Sequence, residues 1–254
     1  MKYYVVSDVH GFYVLLKRRL EETGFFADPG PRKLLVAGDL FDRGDGAAEL
    51  QNFILELMEK DEVVLLRGNH EDLFLRLVDE DGGMPFGYHR SNGTYSTALQ
   101  LTGFTAQRAR ANLNAFTAAC RETPYYRRII PAGRDYLETE HYIFTHGWIP
   151  CVKIFDELRP IKEWRQAAPE LWAKARWFNG MKAVLSCPAD KTVVCGHWHA
   201  SFGHAAYEKK GSEFGPDADF SPYIAPGIIA IDACTAYSGQ MNVLVIEDEE
   251  VGGA

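Results

Sequence analysis

The chain has 254 residues, 46% hydrophobic and 13% aromatic, with a formal net charge of −8. That length and apolar content suffice for one large α/β domain with a sizeable core, and the negative balance argues against nucleic acid as the main partner. No apolar run reaches membrane-spanning length, and the N-terminus lacks the form of a secretory signal.

Tyr3–Val6 reads as an opening strand that ends in Ser7-Asp8-Val9-His10-Gly11. On an extended backbone Asp8 and His10 project to one side and can chelate one metal; an aspartate capping the next helix is the alternative. Helical spacing over Val14–Thr23 turns Leu15, Leu16 and Leu20 inward. A second strand, Lys33–Ala37, delivers Gly38-Asp39-Leu40-Phe41-Asp42-Arg43-Gly44. Asp39 can ligate a hard cation, Asp42 can accept a hydrogen bond, and Arg43 can fork onto a phosphate. A helix over Ala47–Glu59 and a third strand, Glu62–Leu66, follow. That strand ends in Gly68-Asn69-His70-Glu71, which offers a neutral oxygen ligand, an acid/base imidazole and a carboxylate able to brace the loop or cap a helix. Turn chemistry alone can produce Gly-Asn-His. Three successive strands ending in glycine plus Asp, Asn or His are a stronger signal. The alternation implies right-handed crossovers and a parallel or mixed sheet.

From Asp72 to about Arg128 the pattern turns helical, and this segment reads as an insertion packed beside the sheet of a single domain over 1–254. Asp79-Glu80-Asp81-Gly82-Gly83 reads as a loop, and Ser96–Leu101 and Ala106–Arg121 as helices. Tyr88, His89, Arg90, Asn92 and Tyr95 fit a solvated helix start better than substrate contacts. Strand character returns at Tyr142–Thr145, which ends in His146-Gly147, and at Thr192–Cys195, which ends in Gly196-His197-Trp198-His199. His197 and His199 can share a metal from an extended segment. Between them, Arg176 sits among tryptophans that read as core, and it requires an anion partner or an exit to solvent. Ile228–Asp232 and Met241–Ile246 read as closing strands of a second sheet, Glu247–Glu250 as a solvated end, and His204 and Asp232 as structural. The five cysteines (Cys120, Cys151, Cys187, Cys195 and Cys234) are odd in number and lack metal or redox spacing. Reduced thiols and a cytoplasmic location are therefore expected.

Asp8-Val-His10-Gly11, Gly38-Asp39-Leu-Phe-Asp42-Arg43-Gly44, Gly68-Asn69-His70-Glu71, Thr145-His146-Gly147 and Gly196-His197-Trp-His199 resemble, in this order, the calcineurin-like metallophosphoesterases. The Asp-Arg-Gly and Gly-Asn-His-Glu versions look most like the serine/threonine phosphoprotein phosphatase branch, in its compact bacterial and phage form. The resemblance implies a β-sandwich of two mixed sheets flanked by helices, four layers in all, with two divalent metals at the strand ends. It assigns Asp8 and His10 to the first metal, Asp39 to both, and Asn69, His146 and His197 to the second. His199 matches a first-metal ligand of the wider superfamily that the protein-phosphatase branch usually lacks.

The implied reaction is hydrolysis of phosphomonoesters, above all phosphoserine and phosphothreonine in proteins, by a hydroxide bridging the two metals. His70 is the candidate general acid, Asp42 its orienting partner, and Arg43 and Arg176 the phosphate clamps. The ligand types suit Mn²⁺, Fe or Zn²⁺ better than Ca²⁺, and the resemblance favours Mn²⁺. A phosphorylated protein or small phosphoester is the expected partner, without membrane or nucleic acid. The alternatives are a symmetrical dinucleoside polyphosphate hydrolase, a cyclic-nucleotide phosphodiesterase and, against the intact ligand positions, a non-catalytic binding module. Asp45-Gly46-Ala47 stands where related phosphatases often carry Pro and Ser, which adds negative charge near the phosphate site.

Overall fold

The computed structural model describes residues 1–79, 86–155 and 157–253. In chain order its strands are β1 (Lys2–Val6), β2 (Arg32–Ala37), β3 (Val63–Leu66), β4 (Tyr136–Thr139), β5 (Tyr142–Thr145) and β6 (Cys151–Ile154). They continue with β7 (Glu157–Pro160), β8 (Thr192–Cys195), β9 (Tyr223–Ala225), β10 (Ile228–Ala230), β11 (Leu244–Glu247) and β12 (Glu250–Gly253). One mixed sheet has the order β11-β1-β2-β3, with only β11 antiparallel to its neighbour. The other runs β12-β4-β5-β8-β10-β9, with parallel pairs β5–β8 and β8–β10. Strands β6 and β7 form a separate hairpin.

The period-two alternation of side chains divides each strand between two cores. Tyr3, Val5, Leu35 and Ala37 of the first sheet pack against Leu137, Phe144 and Val194 of the second, all fully buried. The other face of the first sheet, with Tyr4, Val6, Leu34 and Val36, packs against Leu16 and Leu20 of the helix Tyr13–Glu22 and against Leu50 and Ile54 of Ala47–Glu59. On the far side Ile143, Val193 and Ile228 meet Trp164, Trp172 and Met181. This is the expected sandwich of two mixed sheets flanked by helices. Beyond Lys2 of β1 and Arg32 and Lys33 of β2, the residues of β1, β2 and β3 are hydrophobic because both faces of these strands are covered.

Several expectations change. Leu244–Glu247 is a strand, but it pairs with β1 in the first sheet, since an apolar run specifies a strand and not its neighbour. The acidic segment after it is not a free end: Asp248 accepts a hydrogen bond from the His141 backbone N–H, and β12 pairs with β4. The helix expected over Ala106–Arg121 breaks at Asn112, whose side chain accepts from the Ala115 N–H and starts a second helix, Leu113–Glu122. Cys151 and Cys187 form a disulfide, so reduced thiols describe only Cys120, Cys195 and Cys234. Their separation of 36 residues leaves no local signal. The loop expected at 79–83 lies outside the described residues from position 80 onward. Among the described residues no helix is long and apolar enough to cross a membrane.

The helical insertion shares the first sheet's outer core through Tyr95, Ala98, Phe116 and Tyr125. In the second sheet, on β4, Glu138 accepts two hydrogen bonds from Arg165, 2.7 and 2.8 Å long, and lies 2.8 Å from the Lys191 amine. The Arg165 hydrogen bonds, with Lys191 adding to them, hold its carboxyl down at about 2. A depressed carboxyl stabilises the fold above its ordinary value near 4.5 and loses that contribution as pH falls toward 2. Glu138→Gln is therefore expected to cost roughly 1–2 kcal/mol at neutral pH. In urea titrations across pH the deficit should close between about 4.5 and 2; a deficit constant with pH would contradict this account.

Candidate active site

The strand ends converge on a cavity of about 490 Å³ lined by Asp8, His10, Asp39, Arg43, Asn69, His70, Asn92, Trp177, His197, His199, Asp232, Cys234, Thr235, Ala236 and Tyr237. Backbone pairing continues past the first sheet to bring its loops there: Asp8 N–H donates to Gly38, His10 N–H to Asp39 and Gly11 N–H to Leu40. Asp8, His10, Asp39, Asp42, Arg43, His197 and Cys234 all have positive φ. Side chains in that region typically cost about 1–3 kcal/mol each and persist where surrounding contacts over-determine them.

Asp39 is the centre. Its Oδ1 accepts the His70 backbone N–H at 2.9 Å and lies 3.4 Å from His146 Nε2. Its Oδ2 lies 3.9 Å from both His10 Nε2 and His70 Nε2. The imidazoles are aimed by backbone acceptors: His10 Nδ1 donates to Phe41 O at 2.8 Å, and His146 Nδ1 to Ala37 O at 2.9 Å. Both Nε2 atoms are thereby turned to the site. His146 Nε2 also meets Asn69 Oδ1 at 2.8 Å, and Asp8 Oδ2 accepts the His197 backbone N–H at 3.0 Å.

Behind Asp39, the buried Glu71 carboxylate accepts the backbone N–H groups of Asp39, Leu40 and Gly68 and the Tyr125 hydroxyl. Gly68 is required by space: a Cβ there would sit 2.1 Å from Asp39 Oδ1. On the cavity wall His70 Nδ1 lies 2.7 Å from Asp42 Oδ2.

The electrostatics follow from burial. Burial pushes Asp8 up to about 6, with Asp39 adding to it, and pushes Asp232 well above the carboxylate range. It lowers His10 to about 4 and His197 to about 3. Burial also opposes charge on His70 and His146, but Asp39 overcomes it at both, helped at His70 by the Asp42 hydrogen bond. His70 is held at about 9 and His146 at about 10.

Two of the three donor groups among the described residues that could hold a cation lie at this cavity: His10, Asp39 and His70 offer atoms within 4.8 Å of one another, and so do Asp39, His146 and His197. Asp39 belongs to both, and the donors are imidazole and carboxylate. Protons on imidazole and divalent cations are alternative ways to offset the buried carboxylates.

Asp8, His10, Asp39, Asn69, His70, His146 and His197 thus gather at one site, with Asp42 behind His70 and Arg43 exposed at the mouth. Two expected residues stand apart. Arg176 is buried and ion-paired with Asp72, at 2.7 Å, and with Asp135, so its anion partners are carboxylates of this chain and it does not line the cavity. His199 lines the cavity but belongs to neither donor group; its Nε2 is 2.7 Å from Glu213.

Asp232, expected to be structural, lines the cavity. Its signal was present, since it ends an apolar run as Asp39 does. Trp177 and Tyr237, 42% and 57% exposed, add aromatic walls that no motif announced. Around Asn92 the expected solvated helix start is instead buried at His89, Thr94 and Tyr95.

Two stacked mixed sheets gather His, Asp and Asn at their strand ends, a donor set suited to divalent metals. The chain belongs to the calcineurin-like phosphoesterase family, whose model matches residues 1–220, a family that uses divalent metals. An asymmetrical bis(5'-nucleosyl)-tetraphosphatase PrpE of Bacillus velezensis is 26% identical over 169 residues, which span 64% of this chain and 63% of that protein, just under two thirds. Serine/threonine-protein phosphatase 1 of Salmonella typhimurium is 38% identical over 72 residues, 28% of this chain and 31% of that one. A cold-active protein-tyrosine phosphatase of a psychrophilic Shewanella superposes over 97% of this chain and 75% of its own with a TM-score of 0.53; at 16% identity that likeness extends to the fold alone.

His70→Ala is expected to lower turnover at least a hundredfold while bound metal, read by elemental analysis, stays close to the parent protein's. Equal losses in both would make His70 a ligand of the first donor group and not an acid.

Proposed function

We propose that this chain is a divalent-metal-dependent phosphomonoesterase acting on phosphoserine and phosphothreonine side chains of proteins. The observation that carries the reading is the His70–Asp42 pair, 2.7 Å apart, set beside the Asp39 carboxylate common to both donor groups. Asp8, His10 and Asp39 would hold one cation, and Asp39, Asn69, His146 and His197 the other. Mn²⁺ is the proposed metal, within a donor set that also suits Fe and Zn²⁺. The cations would neutralise phosphoryl oxygens and make a water acidic enough to attack near neutral pH.

The chain's own residues supply the rest. Arg43 forks onto phosphoryl oxygens from the cavity mouth. Glu71 fixes the backbone on both sides of Asp39, so the carboxylate does not reorganise as charge moves. His70 keeps Nδ1 on Asp42 and turns Nε2 toward the site, where it gives a proton to the leaving oxygen.

A second reading, hydrolysis of dinucleoside tetraphosphates, is favoured by the exposed Trp177 and Tyr237 rings in the cavity wall, which offer faces for stacking a base. The names of the Bacillus and Salmonella relatives divide between these two substrates.

The separating experiment strips the protein, reloads it with Mn²⁺ and offers a phosphoserine peptide and diadenosine tetraphosphate in one tube. Peptide turnover that needs both metal and His70 is expected. Preferential dinucleotide cleavage, weakened by Trp177→Ala, would replace the first reading by the second. Turnover of neither would overturn both substrate assignments.

A further inference from the structure

The helix Thr94–Thr102 of the insertion touches the Asp42–Ala47 turn through one face. Thr94 Oγ1 donates to Asp42 Oδ2 at 2.8 Å, and Thr97 Oγ1 accepts from the Asp42 N–H at 3.0 Å. Gln100 donates to Gly44 O and accepts from the Ala47 N–H, each at 3.0 Å. The spacing i, i+3, i+6 puts these three polar side chains along one stripe of the helix. Just before it, Gly93 lies so close that a Cβ would sit 2.5 Å from the Arg43 nitrogen. Asp42 and Arg43 both have positive φ, and this stripe is packed directly on them.

The contact at Thr94 differs in kind from the others. Its hydroxyl, fully buried, donates to the same carboxylate oxygen, Oδ2, that faces His70 Nδ1. A carboxylate whose one oxygen receives both donors cannot rotate without breaking both bonds, so Thr94 fixes the plane of Asp42 and through it the imidazole.

We propose that Thr94 is a positioning residue for proton delivery to the leaving group, and that the helical insertion carries it as a working part of the active site. This rests on the reading of His70 as general acid. In the step concerned, the bond from phosphorus to the leaving oxygen breaks with its electron pair on that oxygen. The oxygen takes the proton from His70 Nε2 and leaves as the alcohol, while a hydroxide oxygen, from a water that has given its proton to solvent, forms the new bond to phosphorus; His70 then regains a proton from solvent. Thr94 touches none of these atoms. It sets the direction in which Nε2 points, and near-attack geometry is sensitive to small errors of aim.

The prediction distinguishes this from a structural role. Thr94→Val keeps the shape and removes the hydroxyl. On phenyl or alkyl phosphates, whose leaving oxygens are strongly basic, kcat should fall about ten- to a hundredfold with KM nearly unchanged. On p-nitrophenyl phosphate, whose phenolate departs without a proton, kcat should change less than about twofold. Thr94→Ser, which restores the donor, should recover most of the loss, and metal content should match the parent in both variants. If the valine protein does not fold, Thr94→Ala serves in its place.

Equal losses on both substrates, or none on either, would overturn the proposal. His70→Ala run alongside separates the two claims. If it shows the leaving-group dependence and Thr94→Val does not, only Thr94's role is lost. If His70→Ala shows no such dependence, the general-acid reading fails and this inference falls with it.

Discussion

The structure depends on keeping the Asp39 carboxylate buried and ionised where the loops of two sheets meet. A buried anion is costly unless it is paired and hydrogen-bonded. Here one oxygen takes a backbone N–H, three imidazoles surround the group, and Glu71 holds the backbone that carries it. Burial pushes the Asp39 carboxyl up, but the His146, His70 and His10 imidazoles outweigh it and keep the group well below the usual carboxylate range. The positive-φ residues of the strand-end loops become intelligible in the same terms. The chain accepts local strain at Asp8, His10, Asp39 and His197 because only curled strand ends bring their side chains within a few ångströms of one another.

Close approach is the second condition. A Cβ at Gly68 would overlap Asp39, and one at Gly38 would come within 2.5 Å of His146 Nδ1. The outer brace is supplied from the insertion: Tyr125 reaches Glu71, and Thr94 reaches Asp42. Helices that look like an appendage in the chain therefore determine how firmly two carboxylates of the site are held. Arg176 makes a comparable tie elsewhere, joining the segment after the helix Pro169–Ala175 to Asp72, two residues beyond His70. Its charge is spent within the fold.

What could be read from the sequence follows the same physics. Apolar runs that stop at glycine and a ligand-bearing residue mark strands entering a site, and Asp8, Asp39, Asn69, His146 and His197 were legible for that reason. Asp232 obeys the same grammar and lines the same cavity. Other features left no local trace. Thr94 and Thr97 look like ordinary helix residues until the helix is docked on Asp42. Cys151 and Cys187 meet only because the hairpin β6–β7 folds back on a distant turn. Leu244–Glu247 announces a strand without naming its partner. Among tryptophans Arg176 requires an anion partner or an exit to solvent, and sequence does not choose between solvent, a phosphate and the two carboxylates that fill that place.

Asp39 is proposed to be shared between two cation positions. Anomalous diffraction from crystals of the Mn²⁺-loaded protein tests it most directly, since each ion gives its own peak. Two peaks, both within coordination reach of the Asp39 carboxylate, are predicted. A single peak, or two that leave Asp39 on only one of them, would rule out a shared Asp39.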